Sequence, residues 1–383
     1  MSKVPKQFEV VIVQRHLAHY RVPLLSLLRD LLHADGVRLR LLHGDPTATE
    51  AMKRDEGYLD WAEHLETRYF LDGRLCWQPF GAQTRNADLV IVTQENRLLY
   101  NLWAMFVGRS RGHPRRVAFW GHGANFQAVN PEGWREHIKR RLIRKVDWWF
   151  AYTQLSTDVV RNAGFPAERI TTLENAIDTR ALAEQLGAVT RAELDTARAR
   201  LNLSGARVGL FLGSLYDLKR LPFLFEACER VIRQVPSFCL LVSGDGPRRP
   251  LLEEAARTRP WLRILGMQLG RDKAVVLRLA EVMLNPGLVG LGILDAFTAG
   301  VPMVTTDCRI HSPEISYLRS GENGVMAHDC VEDFSTAVVA LLNNEAERRR
   351  LGANGHAAAM HYTIENMAQR FRAGILQALQ TRA

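Results

Sequence analysis

The chain has 383 residues, of which 47% are apolar and 24% are charged. At about 150 residues per domain, this length predicts two or three domains, each with its own core. The chain holds only 28 glycines and 15 prolines, so its composition excludes a disordered, collagen-like or low-complexity protein. The net charge of +9 is uneven, because ten basic and only two acidic residues occur between positions 109 and 145. This segment indicates either an anionic partner or a solvated helix face.

The five cysteines are widely spaced, and their spacing matches neither a zinc site nor a disulfide framework, which favours a reducing compartment. The N-terminus lacks the apolar core and the small-residue cleavage site of a signal peptide. No stretch reaches the ~18 apolar residues that a transmembrane helix needs. We therefore expect a cytoplasmic protein, whose membrane contact would be peripheral at the inner face of the plasma membrane.

Short apolar runs alternate with longer amphipathic segments, which is typical of βα units that build a parallel sheet. The runs predicted as strands are 8–13, 37–42, 88–93, 116–120, 147–151 and 170–173 in the first half, and 208–212, 238–243, 262–265, 282–285 and 302–305 in the second. The predicted fold class is α/β, with two Rossmann-like doubly wound parallel-sheet domains. Because such sheets bind ligands beyond the carboxyl ends of their strands, two facing domains predict an interdomain cleft.

The segment 178–203 is rich in Ala, Arg and Glu at helical spacing and carries no strand signal, so it marks the domain junction. We expect an N-terminal domain over residues 1–200 and a C-terminal domain over residues 201–362. The last segment, 363–383, has an apolar stripe that forms one face of a helix and must pack on something. The stripe consists of Met367, Phe371, Ile375 and Leu379.

The first strand turn of the second domain contains Gly213 and Ser214 and continues to Lys219 and Arg220. Glycine lets the backbone approach a ligand closely, and two cations before a helix favour an anion. A tight turn with two solvated cations is the alternative interpretation. The turn of the next strand contains Gly244 and Asp245, and it is either a second ligand loop or a simple turn.

A Gly-rich loop over residues 286–292 precedes a short helix that contains Asp295 and ends at Gly300. The loop and the helix start expose backbone N–H groups to an anion. The Asp295 carboxylate either accepts hydrogen bonds from sugar hydroxyls or stabilises the helix dipole. The first strand turn of the chain contains no glycine, which disfavours a nicotinamide or flavin enzyme.

These motifs together resemble those of the retaining glycosyltransferases of family 4, also called glycosyl transferases group 1. The resemblance covers nearly the whole chain and is strongest from Val208 to Gly324. It is carried by the segments 213–219, 243–247, 295–304, 311–315 and 321–324, and by 173–178 in the first domain. It implies the GT-B architecture of two Rossmann-like domains, with the final helix 363–383 crossing back to the first domain.

The resemblance implies that Lys219 binds the donor diphosphate. It also places Asp295 at the second position of the family's pair of acids, which binds the nucleotide ribose. Ser214 replaces an arginine of the family pattern, so we expect Arg220 to supply that cation. Glu314 is expected to contact the sugar or the acceptor.

Gly287 stands where the family has the first acid of the pair. The donor-sugar contacts made by that acid are therefore expected from the backbone N–H groups of Leu288, Val289 and Gly290.

In the first domain, His122 lies between two glycines at a predicted strand end. The matching histidine of similar enzymes bonds a substrate hydroxyl, and a buried core histidine is the alternative. His19, Tyr20 and Arg21 fall where the family places its acceptor-facing loop, although they suit a helix start equally well. The segment Trp134–Lys145 predicts a basic amphipathic helix, which suits either an anionic lipid surface or a solvated face.

The resemblance implies a retaining hexosyltransferase that uses a UDP- or GDP-sugar as substrate, with no cofactor and no metal. The expected acceptor is a glycan or a lipid-linked intermediate of bacterial surface polysaccharide synthesis. Because no Asp-x-Asp motif clearly provides a metal site, Lys and Arg are expected to neutralise the leaving diphosphate. The alternative is a non-catalytic binding or scaffold protein of the same fold, favoured by Ser214 and Gly287. A nucleic-acid partner is not expected, since the chain lacks an interleaved aromatic and basic motif.

Overall fold

The computed structural model describes residues 7–51, 56–95, 97–108, 114–123 and 144–381. The chain divides into unit 1, residues 1–177 and 364–383, and unit 2, residues 178–363. This division differs from the expected boundary at residue 200. The helical segment before that residue buries Leu182, Leu186 and Ala197 in the same core as Val208 and Leu210, and so belongs to unit 2.

Unit 1 is built on a seven-stranded parallel sheet in the order β3-β2-β1-β6-β7-β8-β9, with β4 and β5 as a separate antiparallel hairpin. Its strands are β1 Phe8–His16, β2 Val37–Gly44, β3 Ala62–His64, β4 Arg68–Phe70, β5 Leu75–Trp77, β6 Leu89–Thr93, β7 Val117–Gly121, β8 Trp148–Ala151 and β9 Ile170–Thr172. The central strands β6 and β7 are buried over nearly their whole length, and β1 is buried over residues 10–13, because helices cover both faces of a parallel sheet.

Among the described residues, the helices of the first part of unit 1 are α1 Val22–Ala34, α2 Ala48–Ala51, α3 Leu99–Trp103 and α4 Gln154–Asn162. A 3₁₀ turn, His19–Arg21, leads into α1, and Pro23 lies in the first turn of that helix, where its missing N–H costs nothing. Thr153 caps α4 by accepting a hydrogen bond from the Ser156 N–H.

Unit 2 is built on a six-stranded parallel sheet in the order β12-β11-β10-β13-β14-β15. Its strands are β10 Arg207–Leu212, β11 Phe238–Ser243, β12 Leu262–Gly266, β13 Val282–Asn285, β14 Met303–Thr306 and β15 Gly324–Ala327. Its helices are α5 Thr179–Ala188, α6 Arg191–Arg200, α7 Leu221–Gln234, α8 Arg249–Thr258, α9 Gly270–Leu279, α10 Gly292–Ala299, α11 Val331–Asn343 and α12 Glu345–Ala359.

The eleven strands predicted from apolar runs all form, and the prediction of two doubly wound parallel sheets is confirmed. The sequence did not indicate β3, β4, β5 and β15, which are three or four residues long and carry no long apolar run. In both sheets the strand order reverses beside the first strand, between β1 and β6 and between β10 and β13. Ligands of open α/β sheets bind at such reversal points.

The last helix, α13 Ile364–Gln380, lies in unit 1. Its stripe of apolar residues is fully or almost fully buried, and the Phe371 ring packs 5.0 Å from the Trp120 ring and 4.5 Å from the Phe150 ring. Arg372 binds both carboxylate oxygens of Asp35, just after α1, at 2.5 Å. The helix is thus part of the unit 1 core.

Phe371→Ala should lower the free energy of unfolding of unit 1 by about 3–5 kcal/mol, because it leaves a cavity among buried rings. Gln377→Ala, on the exposed face of the same helix, is the control and should change it by less than about 0.5 kcal/mol. Chemical denaturation followed by tryptophan fluorescence measures both. Equal stability of the two variants would contradict the packing described for this helix.

Candidate functional site

The reversal point of the unit 2 sheet brings together the loops that follow β10, β11, β13 and β14. The turns after β10 and β11 are joined backbone to backbone, since Gly213 N–H donates to the Ser243 carbonyl (3.0 Å) and Leu215 N–H to the Asp245 carbonyl (2.9 Å). A Cβ on Gly244 would lie 1.9 Å from the Gly213 carbonyl oxygen, and Gly244 has φ +152°. Only glycine allows these two turns to meet.

Asp245 was expected to bind the donor, but both of its oxygens have partners within unit 2. Oδ1 accepts from the Gly246 N–H (2.8 Å) and Oδ2 from the Arg249 guanidinium (3.1 Å). Its carboxylate therefore stabilises its own turn and the start of α8.

The loop after β13 packs against the residues before α7. A Cβ on Gly287 would lie 2.1 Å from the Leu218 carbonyl oxygen and 2.9 Å from the Lys219 Cα. No side chain fits at Gly287 on this backbone. The two loops can approach this closely only because glycine stands where the family has an acid.

Lys219 lies at the centre of these loops and is only 8% exposed. Its ammonium donates to the Leu288 carbonyl, lies 5.9 Å from the centre of the Tyr216 ring, and is 3.8 Å from where a Cβ on Gly213 would sit. In the part of the chain that the structure describes, no carboxylate pairs with this cation. Burial lowers the pKa of Lys219 to about 8. A buried cation without a carboxylate partner is suited to an anionic ligand.

The backbone N–H groups of Leu288 and Val289 were expected to face the donor sugar, and the structure contradicts this for both. Leu288 N–H donates to the Leu218 carbonyl (2.8 Å), and Val289 N–H donates to His311 Nδ1 (3.1 Å). Both N–H groups therefore already donate hydrogen bonds within the protein, and these bonds fix the loop. Of the three expected amides, only that of Gly290 keeps the proposed role.

Arg220 was expected to replace the family arginine at the diphosphate. Its guanidinium instead pairs with Asp329 and donates to the Pro286 carbonyl (3.2 Å), while its face covers the Phe223 ring at 4.4 Å. Arg220 also has φ +55°, a left-handed conformation that is unfavourable for a residue with a side chain. These contacts make it a clamp on the loop before α7 and do not support a direct role at the diphosphate.

Asp295 lies in the first turn of α10 and is 9% exposed. Its Oδ1 accepts a hydrogen bond of 2.7 Å from the Nζ of Lys273, which lies on α9. Sequence reasoning missed Lys273, because an ion pair between residues 22 positions apart leaves no local pattern.

Glu314 lies in the 3₁₀ turn Pro313–Tyr317 and is almost fully buried. This turn is joined to the loop after β13, since Ser312 N–H donates to the Val289 carbonyl (3.0 Å). The neighbouring His311 accepts at Nδ1 from Val289, so Nε2 carries the proton and donates to the Thr306 carbonyl (2.7 Å). His311 was not singled out from the sequence, although it joins the loop after β13 to the loop after β14.

In unit 1, His122 follows β7 at the carboxyl edge of the sheet and is half-buried. Its ring packs edge-on against Tyr152 at 4.4 Å between centroids. The next residue, Gly123, donates its N–H to Gln94 Oε1 at 3.1 Å, which fixes the loop.

Of the three residues expected in the acceptor-facing loop, His19 is exposed and Tyr20 half-buried, but Arg21 is 5% exposed. The Arg21 guanidinium donates to Asn175 Oδ1 (2.9 Å) and lies 4.7 Å from the centre of the Trp120 ring. It therefore supports the loop from inside, and this burial does not favour the expected direct contact of Arg21 with the acceptor.

A buried ionic cluster at the end of β1 was also missed. Arg15 is 5% exposed, binds both oxygens of Glu50 at 2.7 Å, and reaches Glu95 at 3.3 Å and the Tyr69 hydroxyl at 2.9 Å. Burial alone would raise the pKa of Glu50, but its bonds to Arg15 outweigh burial and hold that pKa well below its usual range. Four side chains from four segments cannot be assigned to one cluster from sequence spacing.

Residues 206–344 match the family model of the Glycosyl transferases group 1. The matched segment lies within unit 2. It contains Gly213, Lys219, Asp295 and Glu314, and the predicted enzyme class is thereby confirmed at the level of the domain family.

The alpha-D-kanosaminyltransferase of Streptomyces kanamyceticus is 25% identical to this chain over 224 residues, 56% of each protein. The chain thus spans about half the length of the curated relative it matches.

Two solved structures are similar over nearly the full length. A glycosyltransferase from Rickettsia africae has a TM-score of 0.73 at 11% identity, with 98% of this chain and 100% of that chain covered. Anabaena HepE in complex with UDP-glucose has a TM-score of 0.70 at 14% identity, with 96% and 99% covered. These likenesses support the predicted GT-B fold class, which is confirmed.

Most of the predicted basic helix Trp134–Lys145 lies outside the described residues; within them, Arg144 and Lys145 are exposed. In the described ranges no helix has the length and apolar character needed to cross a membrane. Over the same ranges, no three His, Cys, Asp or Glu residues group in a way that suits a metal ion.

Gly287→Ala in unit 2 should cost about 1–3 kcal/mol of stability, because the new methyl group meets rigid backbone atoms. Gly290→Ala is the matched control, since the nearest atom to its Cβ is 3.7 Å away, in the Ser312 side chain. Thermal unfolding should show a lowered Tm for the first variant only. An unchanged Tm for Gly287→Ala would refute the close approach of the two loops.

Proposed function

We propose that the chain is a retaining glycosyltransferase that moves a hexosyl group from a UDP- or GDP-sugar to a hydroxyl of a glycan or lipid-linked acceptor. The observation that carries this proposal is the buried Lys219 ammonium at the reversal point of the unit 2 sheet, which pairs with no carboxylate among the described residues. The group 1 family match of the same segment supports it, as does the UDP-glucose complex of the similar Anabaena protein.

In the proposed reaction the bond between the sugar's anomeric carbon and the β-phosphate oxygen breaks, and that carbon bonds to the acceptor hydroxyl oxygen. The leaving nucleoside diphosphate gains negative charge and takes up the hydroxyl proton. Lys219 stabilises this charge, and the backbone at Gly213, where a Cβ would lie 3.8 Å from the Lys219 Nζ, would hold the phosphates together with Ser214. A fixed cation in a poorly solvated site acts more strongly than one in water. We propose that this cation and the amides at the start of α10 take the part that a metal ion has in other transferases.

We further propose that Asp295 accepts hydrogen bonds from the donor ribose and that Glu314 contacts the transferred sugar. Asp295 lies in the first turn of α10, which directly follows the loop after β13, and the turn that holds Glu314 bonds to that loop through the Ser312 N–H and the Val289 carbonyl. On the acceptor side, His122, His19 and Tyr20 in unit 1 are the proposed contacts. The Arg21 stack on Trp120 and the Gln94 bond to Gly123 hold these residues in place.

The proposed setting is bacterial surface polysaccharide synthesis at the cytoplasmic face of the membrane. The basic segment that ends at Arg144 and Lys145 would bind anionic lipid, with about 1 kcal/mol from each cation near the surface. A lipid-linked acceptor is reached most directly from that position.

A second candidate function is a nucleotide-sugar-binding protein that does not transfer the sugar. The observation that favours it is the backbone at Gly287, which leaves no space for the acid that the family carries there.

Lys219→Met should weaken binding of UDP or GDP by about 10- to 150-fold, because a charge-assisted hydrogen bond to phosphate contributes roughly 1.5–3 kcal/mol. Arg233→Met is the control: it removes an exposed cation near the other end of α7, about 20 Å along the helix. Isothermal titration calorimetry measures both affinities.

Equal affinities of the two variants would overturn the proposed donor site. Release of nucleoside diphosphate from UDP- or GDP-sugars separates the two candidate functions. A transferase slowly hydrolyses its donor or consumes it with acceptor, whereas a binding protein leaves it intact.

A further inference from the structure

Lys273 and Asp295 form an ion pair at the edge of the candidate donor site. The Lys273 Nζ donates to Asp295 Oδ1 at 2.7 Å, and the two side chains are 23% and 12% exposed. The pair joins α9 to the first turn of α10, which belong to different βα units of the sheet. It is therefore a tertiary contact between two helices, next to the loop after β13.

The two oxygens of the Asp295 carboxylate have different surroundings. Oδ1 is taken by Lys273, whereas in the described part of unit 2 no hydrogen bond reaches Oδ2. Aspartate has a short side chain with few rotamers. A cation fixed on one oxygen then leaves the carboxylate a single orientation.

An aspartate this buried needs a partner, because an unpaired buried carboxylate turns toward water. It then no longer points at the ligand. Lys273 holds one oxygen of the carboxylate in place, and the helix that carries Lys273 is anchored by the buried residues Ala274, Val276 and Leu277.

We propose that Lys273 is a positioning residue for donor recognition, which orients Asp295 so that its free oxygen accepts from the ribose hydroxyls. This inference rests on the proposed function, in which Asp295 binds the ribose. Lys273 itself does not touch the reacting atoms. Its effect is on the discrimination between a nucleotide with ribose hydroxyls and one without them.

The test first finds which of UDP, GDP and ADP binds the wild type most tightly. It then measures the affinity ratio, which is the affinity for this diphosphate divided by the affinity for its 2′,3′-dideoxy form. Both ligands carry the same base and the same charge, so the ratio of their affinities cancels effects of net charge and of partial misfolding. The variants are Lys273→Met, Lys273→Arg and Asp295→Asn. Arg278→Met, an exposed cation near the end of the same helix, is the matched control.

We expect the affinity ratio to fall at least fivefold toward one in Lys273→Met and in Asp295→Asn. Lys273→Arg should keep at least half of the wild-type ratio, and Arg278→Met should leave it unchanged. A Lys273→Met variant with the wild-type ratio would overturn the inference and leave the donor site intact. A wild type that binds none of the three diphosphates would overturn the proposed function, and this inference with it.

Discussion

The structure of the candidate site depends on one unusual constraint, a lysine ammonium that is buried without a carboxylate partner among the described residues. Removing a charge from water is costly, and burial lowers the pKa of Lys219 to about 8. The protein offsets part of this cost with the Leu288 carbonyl and the face of Tyr216. An anionic ligand bound at the ammonium would offset the rest of this cost.

The neighbouring loops are built around that cation. Gly287 allows the loop after β13 to lie directly on the backbone of Leu218 and Lys219, and this contact brings the Leu288 carbonyl to the ammonium. The amides of Leu288 and Val289 hold the loop in place, and the Arg220 pair with Asp329 fixes the other side. The departure from the family pattern at Gly287 is thus a change in backbone packing as well as a loss of an acid.

The sequence predicted what is local. The strands, the glycine turns at their ends and the short helix that starts at Gly292 all follow from apolar runs and turn residues within a few positions of each other. It did not predict partners chosen by tertiary structure, such as Lys273 for Asp295, His311 for Val289 or Asp329 for Arg220. It also placed the unit boundary too late, because helical spacing does not show which sheet a helix packs on.

The measurement that tests this account most directly is the pKa of the Lys219 ammonium in the intact protein. NMR of selectively labelled lysine, assigned with Lys219→Arg, gives that pKa for the free protein and after addition of UDP or GDP. The account predicts a value near 8 in the free protein and a rise of more than one pH unit when the diphosphate binds. A value near 10.5 in the free protein, or no change on adding either diphosphate, would contradict it.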